Sequence, residues 1–294
     1  MKVAFLGLGA MGNGIASNIL KHGHKLSVWN VKDAFWKNAE DLGLKGAIVC
    51  ESMEEALQDA DIIGMSLTAD KIVKIVCEQA YPFVKSGAVI FDCSTTSPGC
   101  SVEMHKMFSE KGVDFIDAPV SGGIAGAEAG TLTVMVGGNE AAFKKFEPIV
   151  KSFSGYYERM GDVGAGQTTK LINQLLTGVN QATVCEAMLI AEKGGLDLEK
   201  LYKLLVTAWG NSKMLERSVM DYIVPKKFES AACLELMLKD LSLTLQMAED
   251  LGYKVPITEV ATSFYEKAKE SGIGREDHSA IIKIMEQENL KKDK

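Results

Sequence analysis

An apolar run over 3–6 gives way at once to Gly7-Leu8-Gly9-Ala10-Met11-Gly12, and a helix-patterned stretch follows. G-x-G-x-x-G between a strand and a helix is the opening of a dinucleotide-binding strand–helix–strand unit. Gly7 permits the tight turn, Gly9 lets the backbone approach a pyrophosphate, and Gly12 lets the helix lie close to the sheet. The N–H groups at the start of the helix then point at the phosphates.

The following 150 or so residues alternate in the same way. Apolar runs over 25–29, 62–65, 88–92 and 115–118 read as strands, and 11–21, 53–60, 69–79 and 101–111 read as helices. Apolar strands alternating with helices predict a parallel sheet covered on both faces. The runs 131–136 and 156–160 predict further strands. Beyond about Asp162 the pattern is helical throughout, over 168–193, 197–206, 212–220, 234–251, 257–271 and 277–287. Gly194, Gly195 and Gly252 stand where helix C-terminal caps belong. The expected architecture is an α/β Rossmann-type domain with a mostly parallel sheet over 1–162, then an all-α domain over 163–294 for substrate and oligomerisation.

Composition narrows the function. A formal charge of −7 argues against nucleic acid as the main partner, because phosphate binding wants a basic surface. The six cysteines form no C-x-x-C pair and the four histidines are scattered, so reduced thiols and no metal site are expected. The first apolar run is broken by glycines and lacks the length of an export signal. The uncharged run 171–185 is too short to cross a bilayer and contains Asn173, Gln174, Asn180 and Gln181. A cytoplasmic protein without a membrane partner is the expectation.

Four further segments carry chemistry. The tip of the second strand, where the adenine ribose lies in such folds, is Asn30-Val31-Lys32. An acidic residue there would favour NAD. Asn30 decides weakly and no Arg follows, while Lys32 serves equally as a 2′-phosphate contact or a solvated charge. The cofactor is therefore NAD or NADP, with a lean to NAD. Ser121-Gly122-Gly123 follows a strand end and exposes successive N–H groups suited to a carboxylate, although such a loop alone is more often a turn. Residues 164–174 place Lys170 and Asn173 three apart at the start of an apolar helix, so the two share a face. Partial burial favours the neutral form of an amine, which suits Lys170 to general acid–base work. Lys239-Asp240 is a charged pair within another apolar helix, equally a site element or a solvated pair.

Taken together these motifs resemble the β-hydroxyacid dehydrogenase family. The resemblance runs nearly the full length, through Gly7 to Gly12, Asp117 to Gly123, Gly130 to Gly138, Gly164 to Asn173, Lys239 to Leu241 and Gly272 to Ala280. It implies that Lys170 is the catalytic lysine and that Ser121, Gly122 and Gly123 bind the substrate carboxylate. It implies that Asn173 orients the substrate and that Lys239 reaches substrate and nicotinamide. Thr95 matches a cofactor contact. Ser66 and Leu67 replace a common Leu-Pro, leaving backbone contacts there, and Gln174 replaces the second member of a common Asn-Asn pair. The implied reaction is hydride transfer between NAD(P) and a small β-hydroxy acid or semialdehyde carboxylate. The family also implies a homodimer or homotetramer built on the long helix, with substrate choice near Trp209, Asn211, Ser212 and Lys213. The competing readings are a 6-phosphogluconate dehydrogenase-like enzyme, which usually has His-Asn after the lysine, an imine reductase, and a silent dinucleotide-binding regulator. The retained Lys170 and the Leu-Ile-Asn-Gln that follows it argue against all three.

Overall fold

The computed structural model describes residues 1–31, 35–229 and 232–292. The chain divides into two compact units, Met1–Lys170 and Leu171–Lys294. In the first, strands β1 (Lys2–Leu6), β2 (Lys25–Trp29), β3 (Ile48–Val49), β4 (Ile62–Met65), β5 (Val89–Asp92) and β6 (Asp114–Asp117) lie in the order β3-β2-β1-β4-β5-β6, all parallel. Strand β8 (Leu132–Gly137) joins β6 antiparallel and carries β7 (Val120–Ser121) antiparallel and β9 (Ser154–Gly161) parallel. The strand order reverses between β1 and β4, the point at which ligands bind at the C-terminal edge of such a sheet.

The near-continuous apolar strands are explained by burial on both faces. Val3, Phe5, Leu26, Val28, Val89 and Phe91 belong to one core cluster, while Ala4, Leu6, Ile63, Met65, Ile90 and Phe115 belong to the other. This is the period of two expected of a strand. Helices α1 (Ala10–Lys21), α6 (Gly123–Ala129) and α7 (Glu140–Phe153) contribute to the first cluster. Helices α3 (Met53–Leu57), α4 (Asp70–Ala80) and α5 (Pro98–Ser109) contribute to the second. The short helix α2 (Trp36–Gly43) adds Ala39 and Leu42 to the first.

Strands β3 and β7 escape a sequence reading because two residues show no alternation. Helix α7 is also absent from that reading. It carries Pro148 in its interior, a residue that argues against helix from sequence alone, and is started by the Asn139 side chain accepting from Ala142 N–H.

Helix α8 (Ala165–Lys193) begins in the first unit and gives its remaining turns to the second, which continues with α9 (Leu198–Leu205), α10 (Lys213–Ser218), α11 (Leu234–Asp250), α12 (Pro256–Glu270) and α13 (Ile281–Lys292). The run expected to be helical through 220 ends α10 at Ser218 and continues as a π turn over Val219–Ile223. Gly195 and Gly252 follow their helices with φ of 74° and 69°, the left-handed stop that glycine takes without strain. Gly178 lets α11 approach α8, since a Cβ there would stand 2.9 Å from Leu241.

The segment 272–280 latches this unit. Asp277 is fully buried, takes both arms of Arg217 at 3.1 and 2.5 Å, and accepts from the Ser279 N–H and hydroxyl. Burial pushes its carboxyl up, but Arg217, His278 and Ser279 together outweigh that and hold it at about 2. His278 is pushed down to about 4 by burial and then by the Arg217 charge. A histidine that stays neutral until about pH 4 in the native state, against 6.5 unfolded, costs stability as pH falls between those values. Asp277, depressed from 3.8, adds a second loss as pH falls toward about 2. Thermal midpoints measured across this range are expected to drop in these two steps, and His278→Gln is expected to flatten the first.

Candidate active site

The fingerprint loop is built as its glycines require. Gly7 has φ of 87°, and a Cβ on it would stand 2.7 Å from the Ser66 carbonyl oxygen and 2.9 Å from the Leu67 side chain. A Cβ on Gly12 would stand 2.0 Å from the Gly7 carbonyl oxygen, whereas one on Gly9 would meet nothing within 4 Å. Helix α1 starts at Gly9 with no side-chain cap and no acidic residue in its first turn. Uncapped N–H groups beside an open approach fit a dinucleotide pyrophosphate.

Asn30 is buried, and its side chain is bonded within the loop. Its carboxamide oxygen accepts from Leu8 N–H at 3.0 Å and its NH2 donates to the Val31 carbonyl at 2.9 Å. Asn38 donates to the Leu8 carbonyl at 2.6 Å. Val31 is exposed, and Lys32 lies outside the described residues. Further along the edge, the Leu67 N–H donates to the Ser94 hydroxyl at 2.8 Å, tying the loop after β4 to the loop after β5. Thr95 follows Ser94 and is half-buried. Asp92, at the tip of β5, is fully buried; burial pushes it up to about 6, against the pull of Ser94, whose N–H it accepts at 2.9 Å.

The Ser121–Gly123 segment joins the end of β7 to α6, with φ of 130° at Gly122 and 65° at Gly123. Helix α6 is fastened to α1: Asn18 donates to the Ala127 and Glu128 carbonyls at 2.7 and 3.2 Å. Gly14 is pressed against Ala127, where a Cβ would stand 2.8 Å away. The loop after β7 is thereby held beside the fingerprint helix.

Lys170 stands one turn into α8 and is 6% exposed. The start of its helix is bracketed to the tip of β6. The fully buried Asp117 accepts from Gly164 N–H and from Gln167 N–H, both at 2.8 Å. A carboxylate on the first N–H groups of a helix is favoured by hydrogen bonding and by the helix dipole. Burial pushes Asp117 up, while these N–H bonds favour its charged form. The Gln167 side chain, fully buried, donates to the Ser94 carbonyl at 2.8 Å and accepts from Thr96 N–H at 3.1 Å. Sequence reasoning missed Asp117, Gln167, Ser94 and Asn38 as site residues.

Within the second unit, Asn173 donates to Gln174, which donates to Asp240 at 2.5 Å, and Lys239 pairs with Asp240 at 2.9 Å. One buried carboxylate thus joins two of the residues singled out from sequence. Of the residues expected to choose the substrate, Asn211 and Lys213 both bond Glu216 at 2.8 and 2.7 Å, and Ser212 caps α10 through Leu215 N–H. Trp209 is fully exposed. Among the described residues no cluster of three or more His, Cys, Asp or Glu is placed to hold a metal ion.

A family model described as the NAD binding domain of 6-phosphogluconate dehydrogenase matches residues 2–161. A second, described as NAD-binding of NADP-dependent 3-hydroxyisobutyrate dehydrogenase, matches residues 164–285. The chain is 38% identical to 2-(hydroxymethyl)glutarate dehydrogenase of Eubacterium barkeri, over 98% of this chain and 95% of that one. The chain belongs to the β-hydroxyacid dehydrogenase family. It is 32% identical to 2-hydroxy-3-oxopropionate reductase of Escherichia coli, over 97% of both. The solved 3-hydroxyisobutyrate dehydrogenase of Mycobacterium tuberculosis with L-serine superposes with a TM-score of 0.88 at 29% identity, covering 97% of this chain and 98% of that one. As a β-hydroxyacid dehydrogenase the protein is an NAD(P)-dependent oxidoreductase that moves hydride to or from a small hydroxy acid.

Gly166 shows how tight the bracket is. A Cβ there would stand 2.5 Å from the Met135 carbonyl oxygen, 2.7 Å from the Asp117 carbonyl oxygen and 2.8 Å from the Asp117 carboxylate. Backbone atoms of a sheet cannot retreat as a side chain can. Gly166→Ala is expected to destabilise the protein by about 1–3 kcal/mol, the range for overpacking, read as a lowered thermal midpoint.

Proposed function

We propose that the chain interconverts a small semialdehyde carboxylate and its β-hydroxy acid, with Lys170 as general acid in reduction and general base in oxidation. The observation that carries this reading is the placement of Lys170: a buried lysine one turn past a helix start that is bracketed to the C-terminal edge of the sheet. Residues 7–12, 66–67 and Thr95 are proposed to hold the dinucleotide, with Asn30 shaping the loop from behind. When bound, the nicotinamide supplies the hydride. Lys170 gives a proton to the carbonyl oxygen as it becomes the alcohol, and takes it back in oxidation. Asn173 and Lys239 are proposed to orient the substrate, with Asp240 steadying the lysine and Gln174 the asparagine. Ser121, Gly122 and Gly123 are proposed to take the carboxylate through the hydroxyl and loop N–H groups. The proposed domain boundary is at 162/163, just before α8. A lean to NAD is supported by the exposed apolar Val31, which offers no charge to a 2′-phosphate.

The test of the reaction is a panel of tartronate, succinic and methylmalonate semialdehydes and 2-formylglutarate with NADH and NADPH. Turnover is expected with at least one, and with NADH ahead of NADPH. Lys170→Ala is expected to lower turnover on it by at least ~10²-fold while leaving cofactor affinity near normal. Near-normal turnover in that variant removes Lys170 from the mechanism.

We also infer that the protein works in the cytoplasm as a homodimer or homotetramer. A groove of about 370 Å³ in the second unit is lined by Val179, Ala182, Pro256, Ile257, Val260 and Phe264. Ile257 and Val260 are 71% and 62% exposed in the single chain, and Ile172, Leu176 and Ile190 of α8 are exposed as well. Apolar surface of this kind supports self-association. Val260→Glu is expected to shift the mass measured by light scattering toward the monomer. A monomeric parent protein would refute the inference.

A further inference from the structure

The side chain of Gln167 joins the start of α8 to the loop carrying Thr95. Its two hydrogen bonds reach the residues on either side of Thr95: the Ser94 carbonyl accepts from its NH2 and the Thr96 N–H donates to its oxygen. Its own backbone N–H is held by Asp117. Three residues later on the same helix face stands Lys170. Ser94 extends the connection, since its hydroxyl accepts from Leu67 N–H and its N–H donates to Asp92.

We propose that Gln167 is a positioning residue: its carboxamide sets the separation between the loop 94–96 and the Lys170 amine one turn further along the helix. The inference rests on the reading of Lys170 and Thr95 given above. A fully buried carboxamide is costly unless both its ends are bonded. Here the loop presents one carbonyl and one N–H within reach, and of the uncharged side chains of this length only glutamine answers both. Helix anchoring does not require it. The start of α8 is already held by the backbone N–H groups of Gly164 and Gln167 on Asp117, and neither bond uses the Gln167 side chain. What the side chain adds is the distance between the cofactor side of the site and the proton donor. Rates are sensitive to that distance, a misplacement of about 1 Å costing on the order of 10²-fold.

The experiment uses the full chain with Gln167→Met, which keeps the length of the side chain and removes both bonds. Lys170→Ala is run in parallel. The readouts are NADH and NADPH affinity by fluorescence titration, kcat and KM on the fastest semialdehyde of the panel, and the isotope effect with cofactor deuterated at the nicotinamide C4. The expected result is a folded protein whose cofactor affinity changes by less than about 3-fold, whose KM changes little, and whose kcat falls by about 10- to 100-fold. The isotope effect is expected to rise, because the chemical step becomes slower than product release. A general loss of folded protein would lower the apparent kcat and leave the isotope effect alone. A folded Gln167→Met enzyme with parental kcat and isotope effect overturns the proposal. If that variant does not fold, Gln167→Glu, which retains the size and the acceptor for Thr96, is judged by the same criteria with a smaller expected drop. Activity retained in Lys170→Ala overturns the underlying reading as well. Loss of activity there with a parental Gln167→Met overturns the positioning role alone.

Discussion

The arrangement depends on one buried carboxylate. Asp117 closes strand β6 and receives two N–H groups from the opening turn of α8. The contact does for the helix what a capping side chain does, with the difference that the cap belongs to the sheet. A helix end whose N–H groups would otherwise lack partners gains them at the sheet's ligand-binding edge. Glycines make the approach possible. Gly166 lies against Met135 and Asp117, and Gly137 leaves room for the carboxylate itself, where a Cβ would be 2.3 Å from it. Because the bracket fixes the first turn, it also fixes where the next turn, with Lys170, emerges.

A second set of contacts runs along the same edge. Leu8 is held by Asn30 and Asn38, Gly7 packs on Ser66 and Leu67, Leu67 bonds Ser94, and the flanks of Thr95 bond Gln167. Four loops and the helices α2 and α8 are joined in one series, by hydrogen bonds at each link except the close steric packing of Gly7. Each hydrogen bond is individually worth little net stability, about 1 kcal/mol by common measure. Their joint effect is geometric: no loop in the series can shift without straining the next.

The parts of this legible in the sequence are the ones whose signal is local. The fingerprint is contiguous, its glycines have separate steric reasons, and the strand–helix alternation implies a parallel sheet. Lys170 and Asn173 stood out because a helix places i and i+3 together whatever the rest of the chain does. The bracket was hidden because its halves lie 47 and 50 residues apart. Gln167 lies within the Gly164 to Asn173 stretch at a position with no role attached from sequence, and nothing in composition separates a buried bridging carboxamide from a solvated one. Asn30 was read as facing the ribose from its place at a strand tip, and only the fold shows that its oxygen turns inward to Leu8. The Lys239-Asp240 pair left a choice between site and surface, and the Gln174 bond to Asp240 places its acid in a buried network.

The inward turn of Asn30 couples two properties that engineers usually treat as separate. Asn30, proposed to lie toward the nucleotide's sugar, is also a structural peg of the glycine-rich loop, through Leu8. Any exchange at that position intended to trade one dinucleotide for the other also removes a bond that shapes this loop. Re-tooling coenzyme choice in such a scaffold has more freedom at the neighbouring Val31, which faces solvent and carries no such internal duty.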